Sequence, residues 1–238
     1  MPYQNYPAGY YAPDNVVDIK KVKTVSLAQV MGLLSFMFLA MAVGAFLVPQ
    51  QYFMPAMILE FALLFIIPLT NKRAVANGND PAVGLTGGLA LVFAACAGAV
   101  IGPLVQALAA TSAGLAVLGQ AAVVTFVVFA AFGVYGLLTK RDLSVMAKVL
   151  FMSLLVLIGI LVLSMFFSSF FSPFGLLIGI GGSIIFSLLT AVDFQRAKYS
   201  TSDNAVMVTL SIFLDFVNLF TFILDIFLLL GGGGVRRN

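Results

Sequence analysis

Residues 205–230 read AVMVTLSIFLDFVNLFTFILDIFLLL. The stretch holds no Lys, Arg, Pro or Gly, and only Asp215 and Asp225 bring charge into it. A helix crosses the roughly 30 Å hydrocarbon core of a bilayer with about 20 apolar residues, so this run is long enough to span. The whole chain shares its character: of 238 residues, 62% are hydrophobic and 9% charged. Soluble domains carry about 25% charged residues, and so few charges cannot cover a water-facing surface. In lipid, backbone polar groups must be satisfied within helices or a closed barrel. Barrel strands alternate apolar and polar over about ten residues, whereas these runs are unbroken, so helices are expected.

Working back from the last run, six more appear, over about 25–48, 52–70, 82–106, 113–138, 144–167 and 173–192. Their breaks carry turn chemistry: Val48-Pro49-Gln50, Asn77-Gly78-Asn79-Asp80-Pro81, Thr111-Ser112, Ser172-Pro173 and Thr201-Ser202-Asp203-Asn204. The first break is tight, and six spans would result if the first two runs formed a re-entrant pair. Residues 1–18, rich in Tyr, Pro, Asn and Gln, show no apolar period and are expected to be a disordered cytoplasmic tail. No cleaved leader is expected, because the first apolar run starts late and is too long. The transmembrane domain is expected over 19–230, with a Gly-rich C-terminal tail over 231–238.

Short loops rich in Lys and Arg stay in the cytoplasm. Lys20, Lys21 and Lys23 precede the first run, Lys72 and Arg73 follow the second, Lys140 and Arg141 follow the fourth with Lys148 close by, and Arg196 and Lys198 follow the sixth run. The alternate loops carry none, and only Arg236 and Arg237 fall on the other side. The N-terminus is therefore expected inside and the C-terminus outside. Gly175, Gly179, Ser183 and Ser187 recur every fourth position, and Gly98 and Gly102 do the same, as close helix packing requires. With no Trp, Tyr52, Tyr135 and Tyr199 are left for the interfacial belts. The single cysteine, Cys96, cannot form an intrachain disulfide and reads as packing. The absence of His excludes His-ligated metals and His proton relays.

Ionisable groups inside a membrane are costly and mark function by default. Glu60, Asp215 and Asp225 lie well inside apolar runs, and Asp193 lies at the end of the sixth. Counted from a turn centred near Asn204, Asp193 and Asp215 are each eleven residues away. In an antiparallel hairpin that puts both carboxyls at one depth, where two acids cannot easily stay ionised together. Ser211 and Asn218 share the helical face of Asp215, whereas Asp225 is turned from it by about 80°. The donor set is oxygen only, which suits protons or hard cations such as Ca²⁺, with Asp193 and Asp215 as the expected ligands. No cofactor and no nucleic-acid partner is expected.

Five segments carry a family resemblance: Ile-Leu-Glu at 58–60, Gly-Ala-Val-Ile-Gly-Pro-Leu at 98–104, Leu-Leu-Thr-Lys-Arg-Asp-Leu-Ser at 137–144, Val-Asp-Phe-Gln-Arg-Ala-Lys at 192–198 and Phe-Leu-Asp-Phe-Val-Asn-Leu-Phe at 213–220. In this order the chain resembles the transmembrane Bax inhibitor motif family, in its bacterial branch, from about residue 20 to 230. The resemblance implies seven helices with the last one central and wrapped by the other six. It implies a pH-sensitive Ca²⁺ leak across the bacterial cell (inner) membrane, with Asp193 and Asp215 as the sensor and Glu60 matching the family's helix-two glutamate. Some bacterial members latch the aspartates with an arginine at the end of the second helix. Here Asn71 takes that position, with Lys72 and Arg73 as the next bases, and Asp225 stands where relatives often have a basic residue. The expected ion pathway runs past Glu60, Asp215, Asn218 and Asp225.

Other readings remain open. An intramembrane aspartyl protease would carry Gly-x-Gly-Asp on its second catalytic helix, and here Ile212-Phe213-Leu214-Asp215 stands instead, so no enzyme is expected. A retinal protein needs a lysine in the last helix, and none lies in 205–230. A non-conducting scaffold that regulates partner membrane proteins, or a proton-coupled Ca²⁺ exchanger, is compatible with the same residues.

Overall fold

A computed structural model describes residues 27–232. The tail expected over 1–18, Lys20, Lys21 and Lys23, and Arg236 and Arg237 lie outside the described residues. Seven helices are long and apolar enough to cross a membrane. The helices are α1 (Leu27–Leu47), α2 (Phe53–Ala76), α3 (Leu85–Ala109), α4 (Ser112–Leu138), α5 (Ser144–Phe166), the single turn α6 (Ser168–Phe171), α7 (Gly175–Lys198) and α8 (Ala205–Gly232). The tight break after α1 makes two separate spans: Pro49 ends the first run, and a 3-10 turn over Gln50–Tyr52 leads into α2. Several ends run longer than the apolar pattern. α2 continues through Asn71, Lys72 and Arg73 to Ala76, and α7 continues past Asp193 to Lys198. Polar helix ends suit the interface, where water satisfies side chains while the backbone ladder continues. α8 takes in Gly231 and Gly232, the first residues of the expected C-terminal tail.

Small residues set the seams. A Cβ on Gly44 would strike the Ala95 carbonyl, one on Gly98 the Met41 carbonyl, and one on Gly102 the Ala45 carbonyl. α1 and α3 therefore meet backbone to backbone, as small residues permit between membrane helices. The Gln106 amide adds a 2.7 Å bond to the Ala45 carbonyl across the same seam. Gly136 meets the Ala191 backbone where α4 crosses α7.

α8 is the central helix. It packs on α7, α4 and α1 and reaches α3 and α2, while α5 packs chiefly on α7. Phe213, Ile212, Leu219 and Leu224 of α8 are fully buried, and Phe213 meets Phe38 of α1 and Phe93 of α3. The outer faces carry Phe36, Phe61, Val123, Phe151 and Val156 exposed, an apolar surface that only lipid can cover. Because successive spans alternate in direction, Lys72, Arg73, Lys140, Arg141, Lys148, Arg196 and Lys198 all gather at one end of the bundle, the basic end.

The α1–α3 seam makes a test. Gly98→Val forces a side chain into a backbone contact, and overpacking costs roughly 1–3 kcal/mol. The expected result is a lower melting temperature in detergent, whereas Gly88→Ala, whose Cβ meets nothing within 4 Å, leaves it unchanged.

Candidate functional site

The site is built where α7 and α8 pack antiparallel. Gly175 faces Leu229, Gly179 faces Ile226, and Gly182 faces the ring of Phe222. Continued toward the turn, this register sets Asp193 level with Ser211, not with Asp215. Asp215 thus lies one helical turn deeper, about 6 Å along the axis, and the equal depth expected from counting residues is corrected. The count failed because its centre, Asn204, is the last residue of the turn: residues 199–204 centre the hairpin about two residues earlier, and counting from there sets Asp193 level with Ser211. Side chains lean toward the N-terminus of their own helix. In an antiparallel pair Asp193 leans inward and Asp215 leans back toward the basic end, so the two carboxyls converge across the one-turn offset.

Both aspartates are buried and line one cavity of about 470 Å³. Arg196, Ser211, Asn218 and Phe222 line it too, with Leu64 of α2 and Leu154, Leu157 and Leu161 of α5. The polar face read as Ser211–Asp215–Asn218 therefore opens into a cavity. Arg196 Nη1 donates to Asp193 Oδ1 at 2.8 Å, the one ion pair among the described residues. Asp215 Oδ2 is buried and accepts no hydrogen bond. Two carboxyls thus share a cavity with one guanidinium.

The base on Asp193 is Arg196, not Lys72 or Arg73, the bases expected from the sequence. Helical geometry explains the difference. Asn71 takes the inward face of α2, and the next two positions turn away by about 100° and 200°, leaving Lys72 and Arg73 exposed. In the sequence Arg196 bears on orientation, and its i,i+3 spacing from Asp193 is the signal that also marks it as a partner. Asn71 has a role of its own: its amide donates to the Asp203 carbonyl at 2.8 Å, tying α2 to the turn between α7 and α8. Gln195, also missed, joins α7 to the α4–α5 loop by accepting from Leu143 N (2.9 Å) and donating to the Arg141 carbonyl (2.7 Å).

The remaining acids stand apart. Asp225 is exposed and lines a separate cavity of about 510 Å³ with Ser164, Ser168 and Ser172. Phe222 and Leu161 line both cavities and separate them. Glu60 is half-buried on α2 and lines neither cavity; Leu64, one turn on, faces the Asp215 cavity instead. Among the described residues no three Asp, Glu, Cys or His side chains converge as a metal site. Ca²⁺ takes six to eight oxygens, so an ion beside Asp193, Asp215 and Asn218 would keep much of its water.

The family model described as Inhibitor of apoptosis-promoting Bax1 matches residues 23–232, nearly the whole chain and all of the site. The chain belongs to the Bax inhibitor family. Bax inhibitor relatives among bacteria include an uncharacterized protein of Campylobacter jejuni, 32% identical over 78% of this chain and 76% of its own length. An uncharacterized protein of Lactococcus lactis is 33% identical over 73% of this chain and 75% of its own. An uncharacterized membrane protein of Vibrio cholerae is 28% identical over 72% and 73%. This Bax inhibitor family chain is a multi-pass membrane protein.

The ion pair makes the next test. Arg196→Gln leaves Asp193 buried without its base, and a hydrogen bond to a charged group contributes about 1.5–3 kcal/mol. At neutral pH the variant should melt lower than the wild type, and the gap should narrow as acid neutralises Asp193. Adding Asp193→Asn to Arg196→Gln should recover most of the loss. A double variant as unstable as the single one would mean that the pair is incidental.

Proposed function

We propose that this protein is a pH-sensitive calcium leak channel, gated by Asp193 and Asp215 through a shared proton. The observation that carries the reading is the cavity holding two buried carboxyls and one base, with Asp215 Oδ2 unpartnered. An unpaired buried carboxylate is costly, so a proton or a cation must balance the second negative charge. Those are the two species the function requires.

In the closed state the proton shared by Asp193 and Asp215 bridges α7 to α8, while Arg196, on α7 itself, balances the charge left on the pair. Adding a further proton neutralises both carboxyls and removes the charged, shared-proton bridge between α7 and α8. Acidification therefore favours opening. Ca²⁺ then moves down its gradient past Asp215 and Asn218, displaces the Phe222 and Leu161 side chains, and leaves by the cavity of Asp225. Glu60 joins the route only if α2 turns as the gate opens. The reading includes no catalytic step and no cofactor.

We also infer a bacterial cell (inner) membrane location with the basic end, and hence the N-terminus, in the cytoplasm and the C-terminus outside. Support comes from the Lys and Arg asymmetry and from the bacterial relatives. Proton access to the pair is then from the cytoplasm.

The test is Ca²⁺ uptake by proteoliposomes over a pH series. One pKa unit is worth about 1.4 kcal/mol, or tenfold in a population, so uptake should rise roughly tenfold as pH falls from about 8 to about 6. Asp215→Asn should flatten that response. Uptake that needs an opposing proton gradient would make the protein an exchanger. No uptake at any pH would leave a non-conducting scaffold for partner membrane proteins.

A further inference from the structure

Arg196 also lines a second cavity, of about 860 Å³, at the basic end of the α5–α7 seam. Lys148 of α5 and Arg196 of α7 bring two positive charges to its wall. Asp142 brings one negative charge, its oxygens accepting from Ser144 N and Ser144 Oγ, each at 2.9 Å, so these three groups leave the wall net positive by one. Gln195 spends both ends of its amide on the α4–α5 loop, which fixes that side of the cavity. Arg196 gives Nη1 to Asp193, and a guanidinium has five N–H donors in a planar fork, so donors remain for a second acceptor. Arginine in this state suits a phosphate.

The cavity does not end at the charged groups. Met152 lines it and also lines a groove of about 380 Å³ that follows α5 and α7 deeper into the bundle. Val156, Leu157, Ile160, Leu177 and Gly181 line the groove. From Met152 to Ile160 it follows two turns of α5, about 12 Å. A Cβ on Gly181 would meet nothing within 4 Å, so this face of α7 is open. Bases at the membrane boundary with an apolar groove running inward from them match a molecule with an anionic head and a hydrocarbon tail.

We propose that the α5–α7 seam is a binding site for an anionic phospholipid, its phosphate on Arg196 and Lys148 and one acyl chain in the groove. Basic pockets between membrane helices hold such headgroups. Free phosphate shares the head chemistry, but only a lipid uses the groove. The site does not depend on conduction, although it draws on the guanidinium that holds Asp193.

Native mass spectrometry of the full chain in detergent, with phosphatidylglycerol, phosphatidylcholine and inorganic phosphate as probes, tests this. Phosphatidylglycerol should bind at least about tenfold more tightly than phosphatidylcholine, with Lys148→Gln costing about fivefold. Lys148→Gln with Arg196→Gln should remove the preference. Gly181→Leu adds a side chain to the groove wall at a position where a Cβ meets nothing within 4 Å, and should weaken phosphatidylglycerol to a similar degree. Equal retention of both lipids, insensitive to Lys148→Gln, would overturn the proposal. So would phosphatidylglycerol that survives Gly181→Leu but is displaced by inorganic phosphate, which would mark a site for free anions.

Discussion

Moving a carboxylate from water into a medium of low dielectric constant costs of order 20 kcal/mol for an idealised ion, and still several kcal/mol after relaxation. Asp193 and Asp215 are both only 4% exposed, and among the described residues one base, Arg196, pairs with Asp193. Arg196 can serve because its side chain remains 55% exposed while its Nη1 reaches inward. The guanidinium stays solvated and Asp193 is paired. Among the described residues no second base completes the set, so Asp215 carries the unmet demand. The chemistry of the chain follows from that imbalance between two acids and one base.

The rest of the fold holds the imbalance in place. Gly179 and Gly182 let α7 approach α8 closely enough to fix their register. That register, with the lean of side chains toward helix N-termini, brings the two aspartates to the wall of one cavity. Asn71 anchors the turn above them to α2, and Gln195 anchors α7 to the loop before α5. Against this tight framework α5 is held mainly from one side, by α7. The cavity of the aspartates, that of Asp225, the basic cavity and the apolar groove all use α5 as a wall. Loose packing of one helix thus contributes to all four of these spaces.

Much of this was legible in the residues. Seven spans followed from run length, and the four-residue spacing of Gly98 with Gly102 and of Gly175 with Gly179 marked contacts that the fold uses. The union of Asp193 with the face of Ser211, Asp215 and Asn218 followed from a hairpin and helical periodicity. Depth did not, because the polar run at 201–204 suggests a turn centred at Asn204, whereas the turn begins right after Lys198 and is centred about two residues earlier. The partner of Asp193 did not either: an apolar-run reading ended the sixth span at residue 192, which put Arg196 in a loop, whereas backbone hydrogen bonding carries α7 on to Lys198. Once the helix is extended, the i,i+3 relation is plain. The separation of Asp225 and Glu60 from the central cavity depends on packing around Phe222 and Leu64, which no spacing rule encodes.

The central claim is that Asp193 and Asp215 together hold one proton while Arg196 balances the other charge. Infrared difference spectroscopy of the purified protein across a pH series reads that proton directly, as the carbonyl stretch of a neutral carboxylic acid. The account predicts such a band at neutral pH, abolished by Asp215→Asn or Asp193→Asn and joined by a second as the pH falls. Two carboxylates that stay fully ionised at neutral pH in the absence of a bound cation would contradict it.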